Sequence, residues 1–585
     1  MRWRLRECAQ GGKSAKSSPW THNESPQRTL AGAELAYIAG TGPRVRLHGN
    51  VFAVPNGNAS TVTPMAPAPS NERMIAGVAA ASVSLGVAQL VGIPFGARAD
   101  ARTAIGSAVV DLTPGPIKEW AIQTLGSLDK LFLAVVVLVV IATIAAIAGT
   151  LETRRRPLGS AAIAAAGVLG CVAVLSRQGA TALDTIPTVA GAACGVAALR
   201  LLTRRFWPGP ADPEGPEDPE DQAVHDEPDA GRRRLLIYGL LGFGVVSGVV
   251  GAVITRLVHS VTADRGTFAI PRPRTPAPPI PADVQPKGVA LPSFVTTSAD
   301  FYRVDTALIV PQLSHGDWRL RIHGMVDREA TYSFDDLTHF DAVETVMTLT
   351  CVSNPVGGNL ISTGLWTGYR VADLLAVTGV HADADMVLST SIDGFTAGTP
   401  VQALTDGRDA LLAVALNGQP LPIEHGYPAR LIVPGLYGYV SATKWVVEME
   451  LTRFDRAEAY WTRQGWAPRA PIKTESRIDV PKGGQKVPMG PVVFGGVAWA
   501  QNHGVRAVEV LIDDGVWQPA EQGASYSNGT WRLWSFPWQA KSSGKHTITV
   551  RATDNTGAVQ TADRVGTVPD GATGWHTVDF TVAET

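Results

Sequence analysis

Charge-free apolar runs in the first half of the chain constrain what it can fold into. Four runs contain no charged residue and a fifth contains one; they are Met74–Ala97, Leu131–Leu151, Pro157–Ser176, Thr185–Thr203 and Leu235–Thr255. A helix needs about 20 apolar residues to cross a bilayer, and soluble cores seldom supply several uncharged runs of this length. The sequence therefore predicts about five transmembrane helices within residues 74–257, with buried core helices as the alternative.

Basic residues between the runs predict the orientation of this bundle. Arg154–Arg156 follow the second run, Arg204 and Arg205 follow the fourth, and Arg232–Arg234 precede the fifth. Because loops rich in Lys and Arg stay cytoplasmic, we expect a multi-pass protein of the cell membrane with everything after Arg256 extracytoplasmic. Arg232–Arg234 also resemble an internal twin-arginine export signal, with positive-inside orientation as the simpler explanation.

Two segments are expected to lack a fold of their own. Residues 1–73 are largely polar, show no signal-peptide pattern, and predict a disordered leader whose true start could be Met65 or Met74. Residues 258–292 become dense in proline from Pro271 onward, and such a composition predicts a semi-stiff extended spacer. We expect this spacer to hold the following domain off the membrane surface.

The C-terminal half divides into two globular domains, so the chain is expected to be multi-domain. Residues 293–467 mix strand patterns with helical ones such as Val371–Val377, and predict an α+β domain. Residues 468–585 contain short alternating segments separated by turn residues such as Asp514-Gly515. This pattern predicts a β-sandwich of the immunoglobulin type.

The charge balance excludes one class of partner. The chain has 50 Lys and Arg against 52 Asp and Glu, a formal net charge of -2. A chain built mainly to grip nucleic acid shows a basic excess, so no nucleic-acid partner is expected.

Cys351 is the first candidate for chemistry. It is the only one of the four cysteines that follows Cys194, it ends the β-rich run Thr345–Cys351, and it enters the Gly-rich loop Cys351–Gly358. A thiolate at a strand end beside Gly-rich backbone can act as a nucleophile or as a soft metal ligand. A small buried apolar residue is the alternative interpretation.

A cationic cluster is the second candidate. Pro420–Trp445 holds His425, Arg430 and Lys444 around a Pro-Gly turn. Three cationic or donor groups near exposed loop backbone suit a bound anion such as a phosphate. Ordinary surface charge is the alternative.

These blocks, together with Asp300–Pro311 (DFYRVDTALIVP), resemble the sulfite oxidase family of molybdopterin-dependent oxidoreductases. The carrying motifs are LTCVSNPVGG, which contains Cys351, and NGQPLPIEHGYPARLIVPGLYGYVSATKWV. The resemblance covers about residues 293–585. Gly495–Trp517 looks like part of the family's dimerisation domain, which makes a homodimer possible. The membrane half resembles the arrangement in membrane-anchored bacterial relatives.

The resemblance implies a molybdenum–molybdopterin cofactor and roles for named residues. Cys351 would be the metal ligand, and Cys351, Arg303 and Arg506 the catalytic residues. The residues that would bind the cofactor are Tyr302, Arg303, Asn354, Ser391, His425, Arg430, Ser441, Thr443 and Lys444. The sequence has no C-x-x-C-H haem attachment motif, so no haem is expected and electrons would pass to or from a separate carrier or a quinone.

Departures from the family motifs bear on the substrate. Sulfite-oxidising members carry arginines shortly after the cysteine, where this chain has residues 355–357 (Pro-Val-Gly), and an active-site tyrosine where it has Val414. A pocket short of arginine binds a small dianion less well. The expected substrate is therefore a small molecule other than sulfite, such as an S-oxide or N-oxide.

Two alternatives to oxygen-atom transfer stay open at this point. One is a cofactor-free binding protein tethered to the membrane. The other is an extracytoplasmic cysteine-nucleophile enzyme, which would need a histidine base near Cys351.

Overall fold

The structure is a computed structural model that describes residues 70–114, 117, 124, 129–153, 156–177, 180–206 and 230–584. The expected leader, residues 1–73, lies outside the described residues except for its last four. Arg154, Arg155 and the acidic loop before residue 230 also lie outside them.

The N-terminal half is helical. Its helices are α1 (Ser70–Val91), α2 (Ala101–Leu112), α3 (Asp129–Leu151), α4 (Leu158–Leu175), α5 (Ile186–Phe206) and α6 (Ala230–Val258). Among the described residues, five helices are long and apolar enough to cross a membrane, namely all of these except α2. The five predicted apolar helices are thus confirmed as helices.

Small residues let α1 pack at the centre of the bundle against α3, α5 and α6. A Cβ added to Gly77 would clash with the backbone of α3 at Ala145 and Gly149, and one added to Gly86 would clash with Gly244 of α6. Close backbone approach through small residues is the usual way in which helices associate in a membrane.

Charged side chains gather at one end of this bundle. Glu72, at the start of α1, is buried and pairs with Arg233 and Arg234 at the start of α6. At the same end, the buried Glu152 accepts hydrogen bonds from the backbone and the hydroxyl of Ser160, at 2.7 and 2.8 Å. The arginines that resemble an export signal therefore also neutralise a buried carboxylate.

The α+β domain, the catalytic domain of the family resemblance, contains two sheets. Its strands are β1 (Leu320–Gly324), β2 (Ala330–Tyr332), β3 (Ala342–Thr350), β4 (Ile361–Arg370), β5 (Met386–Ser391), β6 (Thr396–Pro400), β7 (Leu411–Leu416), β8 (Gln419–Pro420), β9 (Arg430–Ile432) and β10 (Val446–Thr452). One sheet has the order β2-β1-β10-β5-β6, and the other has the order β3-β4-β7-β8 with β9 paired to β7.

Short helices connect these strands. They are α7 (Thr262–Thr267), α8 (Phe334–Leu337), α9 (Val371–Thr378), α10 (Val401–Thr405) and α11 (Gly438–Ser441). The helix predicted at Val371–Val377 is confirmed as α9, and it ends at Gly379, whose φ of 68° is the left-handed conformation that glycine adopts at little cost.

The C-terminal region is rich in β-structure. Its strands are β11 (Glu475–Val480), β12 (Lys486–Val487), β13 (Gly490–Trp499), β14 (Val505–Ile512), β15 (Gln518–Pro519), β16 (Glu521–Gln522), β17 (Arg532–Ala540), β18 (Gly544–Asp554) and β19 (His576–Val582). They form sheets of order β11-β13-β17-β16 and β12-β19-β18-β14-β15. Apolar residues of both sheets, including Phe494, Trp534 and Phe580, share one core. The immunoglobulin type of this sandwich stays a prediction.

The Pro-rich segment does not act as a free spacer. Its backbone pairs with β3, since Arg274 N donates to Ala342 O at 2.8 Å and Glu344 N donates to Thr275 O at 2.9 Å. Val284 is buried in the domain core. The expectation of a stand-off was wrong, because the backbone N–H groups that remain in this proline-dense segment, and its C=O groups, find partners along the domain surface.

The catalytic domain instead contacts the helices directly. A Cβ added to Gly106 of α2 would lie 2.7 Å from Leu308 Cδ1. Directly after α6, Val261 N donates to Gln312 Oε1 at 3.2 Å. The helical half and the segment that follows it therefore touch the region where the site residues lie.

Candidate functional site

Cys351 lies immediately after β3, at the start of a closed loop. Its backbone N donates to Leu360 O at 3.0 Å, and Asn354 N donates back to Cys351 O at 3.1 Å. The Asn354 side chain accepts a hydrogen bond from Leu360 N at 2.8 Å. The half-buried thiol lines a cavity of about 320 Å³, called here the Cys351 cavity. Asn354 shapes the loop and is not among the residues that line the cavity.

Two members of the predicted cationic cluster line the same cavity. Arg430 begins β9 and Lys444 lies two residues before β10, and both line the cavity while being largely buried. His425 ends a short 3-10 turn and is buried beside them. We call His425, Arg430 and Lys444 the cation cradle. The structure thus brings two cradle residues, Arg430 and Lys444, to the same cavity as Cys351.

The protein supplies hydrogen-bond partners for only some of the polar groups of the cradle. The Arg430 guanidinium donates to His425 O at 3.0 Å and to Ala442 O at 3.2 Å, and it lies 5.5 Å from the centroid of the Trp366 ring. Its Nε and the Nδ1 of His425 are buried without a hydrogen-bond partner in the protein. Buried polar groups are normally paired, so these two atoms point to a ligand with acceptor and donor groups.

Burial lowers the pKa values of all three groups. Burial, with Lys444 and Arg430 nearby, lowers the pKa of His425 to about 3, so its imidazole is neutral at pH 7. Burial lowers the pKa of Arg430 to about 10 and that of Lys444 to about 8, although Asp305 opposes the second shift. A bound anion would raise the pKa of Lys444 and so favour its charged form further.

Asp305 is a site residue that the sequence reasoning missed. Its Oδ2 accepts from Lys444 Nζ at 3.0 Å and from Arg303 Nε at 2.8 Å, and the carboxylate is almost fully buried. Asp305 and Tyr302 line the cavity, whereas Arg303 stays partly exposed behind them. The sequence offered one signal for Asp305: it lies two residues after Arg303, in a segment that carries the family resemblance.

Three predicted hydroxyl residues differ in their placement. Ser391, at the end of β5, lines the cavity. Ser441 Oγ donates to Leu436 O at 3.1 Å and to Tyr437 O at 2.9 Å, so it holds the turn before the cradle. Thr443 Oγ1 lies 2.7 Å from Ser389 Oγ, and its carbonyl accepts from Leu431 N. The side chains of Ser441 and Thr443 thus position nearby backbone and do not line the cavity.

Arg506 and Val414 are not brought to the cavity. Arg506 is exposed on β14 and lies 3.9 Å from the position of a Cβ on Gly557. Val414 is fully buried within β7, in the domain core. The segment 355–357 turns towards the C-terminal region, where a Cβ on Gly357 would clash with the His576 ring. Arg506 and Val414 therefore do not line the Cys351 cavity, and the catalytic role of Arg506 stays a prediction.

Comparison with known proteins agrees with this geometry. The family model of the oxidoreductase molybdopterin binding domain matches residues 307–461. An uncharacterised oxidoreductase of Bacillus subtilis, YuiH, is 32% identical over 149 residues, which are 26% of this chain and 72% of that protein. The chain belongs to the sulfite oxidase-like family of molybdopterin oxidoreductases. It is accordingly an oxidoreductase.

Other members of the family match over a smaller share of their length. Human mitochondrial sulfite oxidase is 29% identical over 290 residues, 41% of this chain and 52% of the human protein. The chain thus spans about half the length of the mammalian sulfite oxidases that it matches. The solved sulfane dehydrogenase SoxCD of Paracoccus pantotrophus aligns at 23% identity with a TM-score of 0.43, over 51% of this chain and 85% of that chain.

Family membership implies a molybdenum cofactor, and the residues of the Cys351 cavity fit one. The Cys351 sulfur is a soft ligand of the kind that such a metal accepts. The unpartnered Nε of Arg430 and the adjacent ammonium of Lys444 suit the phosphate of the pterin. Cysteine and cradle line one cavity, so a single ligand with a metal end and an anionic end can engage both.

Proposed function

We propose that this chain is a membrane-anchored molybdenum-cofactor oxidoreductase that transfers an oxygen atom to or from a small molecule. The observation that carries the proposal is that Cys351 and two of the three cradle residues line one cavity within the matched domain. When bound, the cofactor supplies the two-electron redox chemistry and the protein supplies orientation and electrostatics.

Each residue of the cavity has a role in this proposal. Cys351 ligates the metal, while Arg430 and Lys444 hold the phosphate. His425, neutral at pH 7, offers Nδ1 as a further hydrogen-bonding group. Asp305 keeps Lys444 and Arg303 in place through two ion pairs. Holding an anion with fixed donors costs little reorganisation when the ligand binds.

The substrate is proposed to be a small molecule other than sulfite. Support comes from the cationic groups near the cavity, which are already engaged with Asp305 or assigned to the phosphate. The remaining lining is mostly apolar and aromatic. An S-oxide or N-oxide, which is neutral overall, suits such a wall better than a dianion does.

The membrane anchor and its orientation are part of the same proposal. The catalytic domain contacts α2 and the residues directly after α6, whereas Glu72, Glu152, Arg233 and Arg234 lie at the other end of the helices. With basic loops on the cytoplasmic side, the catalytic domain would be extracytoplasmic. A separate carrier or a quinone would then exchange electrons with it.

The test compares Cys351→Ser with Cys194→Ser, which removes an exposed thiol on α5. Molybdenum content, pterin content and oxide reduction with an artificial electron donor are measured on the purified full chain. We expect Cys351→Ser to abolish activity and Cys194→Ser to behave as the parent. Full activity of Cys351→Ser would refute the ligand role. A parent chain without metal and pterin would favour a cofactor-free binding protein, and acylation of Cys351 by a substrate would favour a cysteine enzyme.

A further inference from the structure

The Cys351 cavity has one wall that comes from the helical half of the chain. Val110 of α2 and Phe132 and Leu133 of α3 line it together with Cys351. We call these three helical residues the mouth. α3 is the most apolar of the five candidate spans, and Phe132 is 51% exposed. The cavity therefore opens at the end of a helix whose flanks are suited to lipid.

A row of aromatic rings forms another wall of the cavity. Successive ring centroids lie 5.2–6.2 Å apart along the series Phe395, Tyr460, Trp461, Trp466 and Tyr439. We call this row the aromatic belt. Such spacings are those of edge-to-face and offset ring contacts, which a further flat ring can join. Tyr and Trp also concentrate where a protein meets the membrane–water interface.

Polar groups also line the cavity, and two carboxylates are among them. Tyr302 and Ser391 supply hydroxyl groups, and Asp393 also lines the cavity. Asp393 is close enough to Arg177, in the loop between α4 and α5, to influence its charge. A second loop of the helical half thus reaches the same rim. Small anions would meet an apolar mouth and a carboxylate, both unfavourable to them.

We propose that the mouth admits a quinone dissolved in the membrane, and that this quinone is the electron partner of the oxidoreductase. The inference rests on the proposed function and names its partner. A quinone combines a flat polar ring, which the aromatic belt can bind, with an apolar tail, which can leave past Phe132 along α3.

The overall reaction balances without any further reactant. In the oxidising direction, substrate X, water and quinone give XO and quinol: X loses two electrons, and the quinone takes them with the two protons released from water. In the reducing direction, XO and quinol give X, quinone and water. Either direction uses the two-electron step that the proposed cofactor supports.

The test uses the purified full chain in lipid nanodiscs and an azido-benzoquinone with a decyl tail as photoaffinity probe. Mass spectrometry then locates the label. We expect labelled peptides from α2, the start of α3 or the segment of Tyr460–Trp466, with competition by unlabelled decylubiquinone. Val110→Trp fills the mouth and should lower the labelling about tenfold. Val109→Trp, an exposed neighbour that does not line the cavity, should leave it unchanged.

A second matched pair covers the case in which Val110→Trp fails to fold. Phe132→Ala widens the mouth and removes a ring, whereas Leu131→Ala changes an exposed neighbour outside the cavity. We expect only Phe132→Ala to weaken the competition by decylubiquinone, by about tenfold.

Molybdenum and pterin are quantified on the same samples, so that the two proposals fail separately. A chain that holds both but is labelled elsewhere, or equally in Val110→Trp and Val109→Trp, overturns the quinone site and leaves the proposed function standing. A chain without metal and pterin overturns the proposed function, while the position of the label still decides whether the mouth binds quinone.

Discussion

Replacing Arg430 by lysine should separate the cofactor from the protein without unfolding it. The Arg430 guanidinium donates to His425 O and Ala442 O, and its Nε is buried without a partner in the protein. Lysine keeps the charge, but its compact ammonium lacks the planar set of donors of a guanidinium. It therefore cannot donate to both carbonyls and to a phosphate at once.

The magnitude follows from the hydrogen bonds that a lysine at this position cannot make. A hydrogen bond to a charged group contributes about 1.5–3 kcal/mol, and about 1.4 kcal/mol is a tenfold change in binding. Without one such bond to the phosphate, cofactor retention should weaken roughly 10–100-fold. Without one of the two bonds to a carbonyl, the free energy of unfolding should fall by about 1–2 kcal/mol.

The assay measures molybdenum and oxidised pterin per chain during extended dialysis, alongside thermal unfolding. Arg408→Lys is the matched control, because Arg408 also donates to a carbonyl, Pro434 O at 2.8 Å, and pairs with Asp406, but does not line the cavity. We expect rapid cofactor loss only in Arg430→Lys. Equal retention in the two variants would refute the role assigned to Arg430.

Buried charges elsewhere in the chain lead to three further predictions. Burial raises the pKa of Glu475 to about 8. The protonated carboxyl therefore contributes its full stability below about pH 4, and this contribution is lost as pH rises through about 8. From pH 5 to pH 9 the unfolding temperature of the parent should fall by a few °C, whereas that of Glu475→Gln should stay nearly constant. Asp305→Asn leaves Lys444 buried without its carboxylate and should lower the free energy of unfolding by about 3–5 kcal/mol at pH 7, and by less at pH 10, where Lys444 is neutral; a destabilisation that does not change with pH in denaturant titrations would contradict this. Substituting Lys for Arg232–Arg234 keeps a cation opposite Glu72, so the helices should assemble while a C-terminal reporter stays cytoplasmic; a reporter still found outside would reject the internal export signal.

The cradle could be predicted because its members are close in sequence, whereas their carboxylate partner could not. His425, Arg430 and Lys444 lie within one segment, and its turn residues already indicate a loop around an anion. Asp305 reaches Lys444 across a sequence separation of 139 residues. Pairing over such a distance depends on how β10 is placed beside the start of the domain, which no local pattern encodes.

Strand geometry explains why Arg506 and Val414 lie away from the Cys351 cavity. Simple alternation along β14 would put Arg506 on the same face as the buried Val508 and Val510, but the register shifts between Val505 and Ala507, so that Arg506 turns outward. Val414 lies in β7, a strand buried along its whole length. Motif alignment gives the position of a residue along the chain, whereas the side of the sheet on which its side chain lies depends on strand register and bulges.

Hydrogen bonds join the end of the helical half to the candidate site, so this half has a role beyond attachment to a membrane. Directly after α6, Arg265 of α7 donates to Leu421 O at 2.7 Å and to Pro420 O at 2.6 Å. Tyr427 donates to the Asp264 carboxylate at 2.6 Å. These bonds fasten the segment that carries His425 to the end of the last candidate span. α2 and α3 line the same cavity from the other side. Movement of the helices relative to the domain would therefore change the mouth and the cradle together. A flexible spacer would have left both without a defined shape.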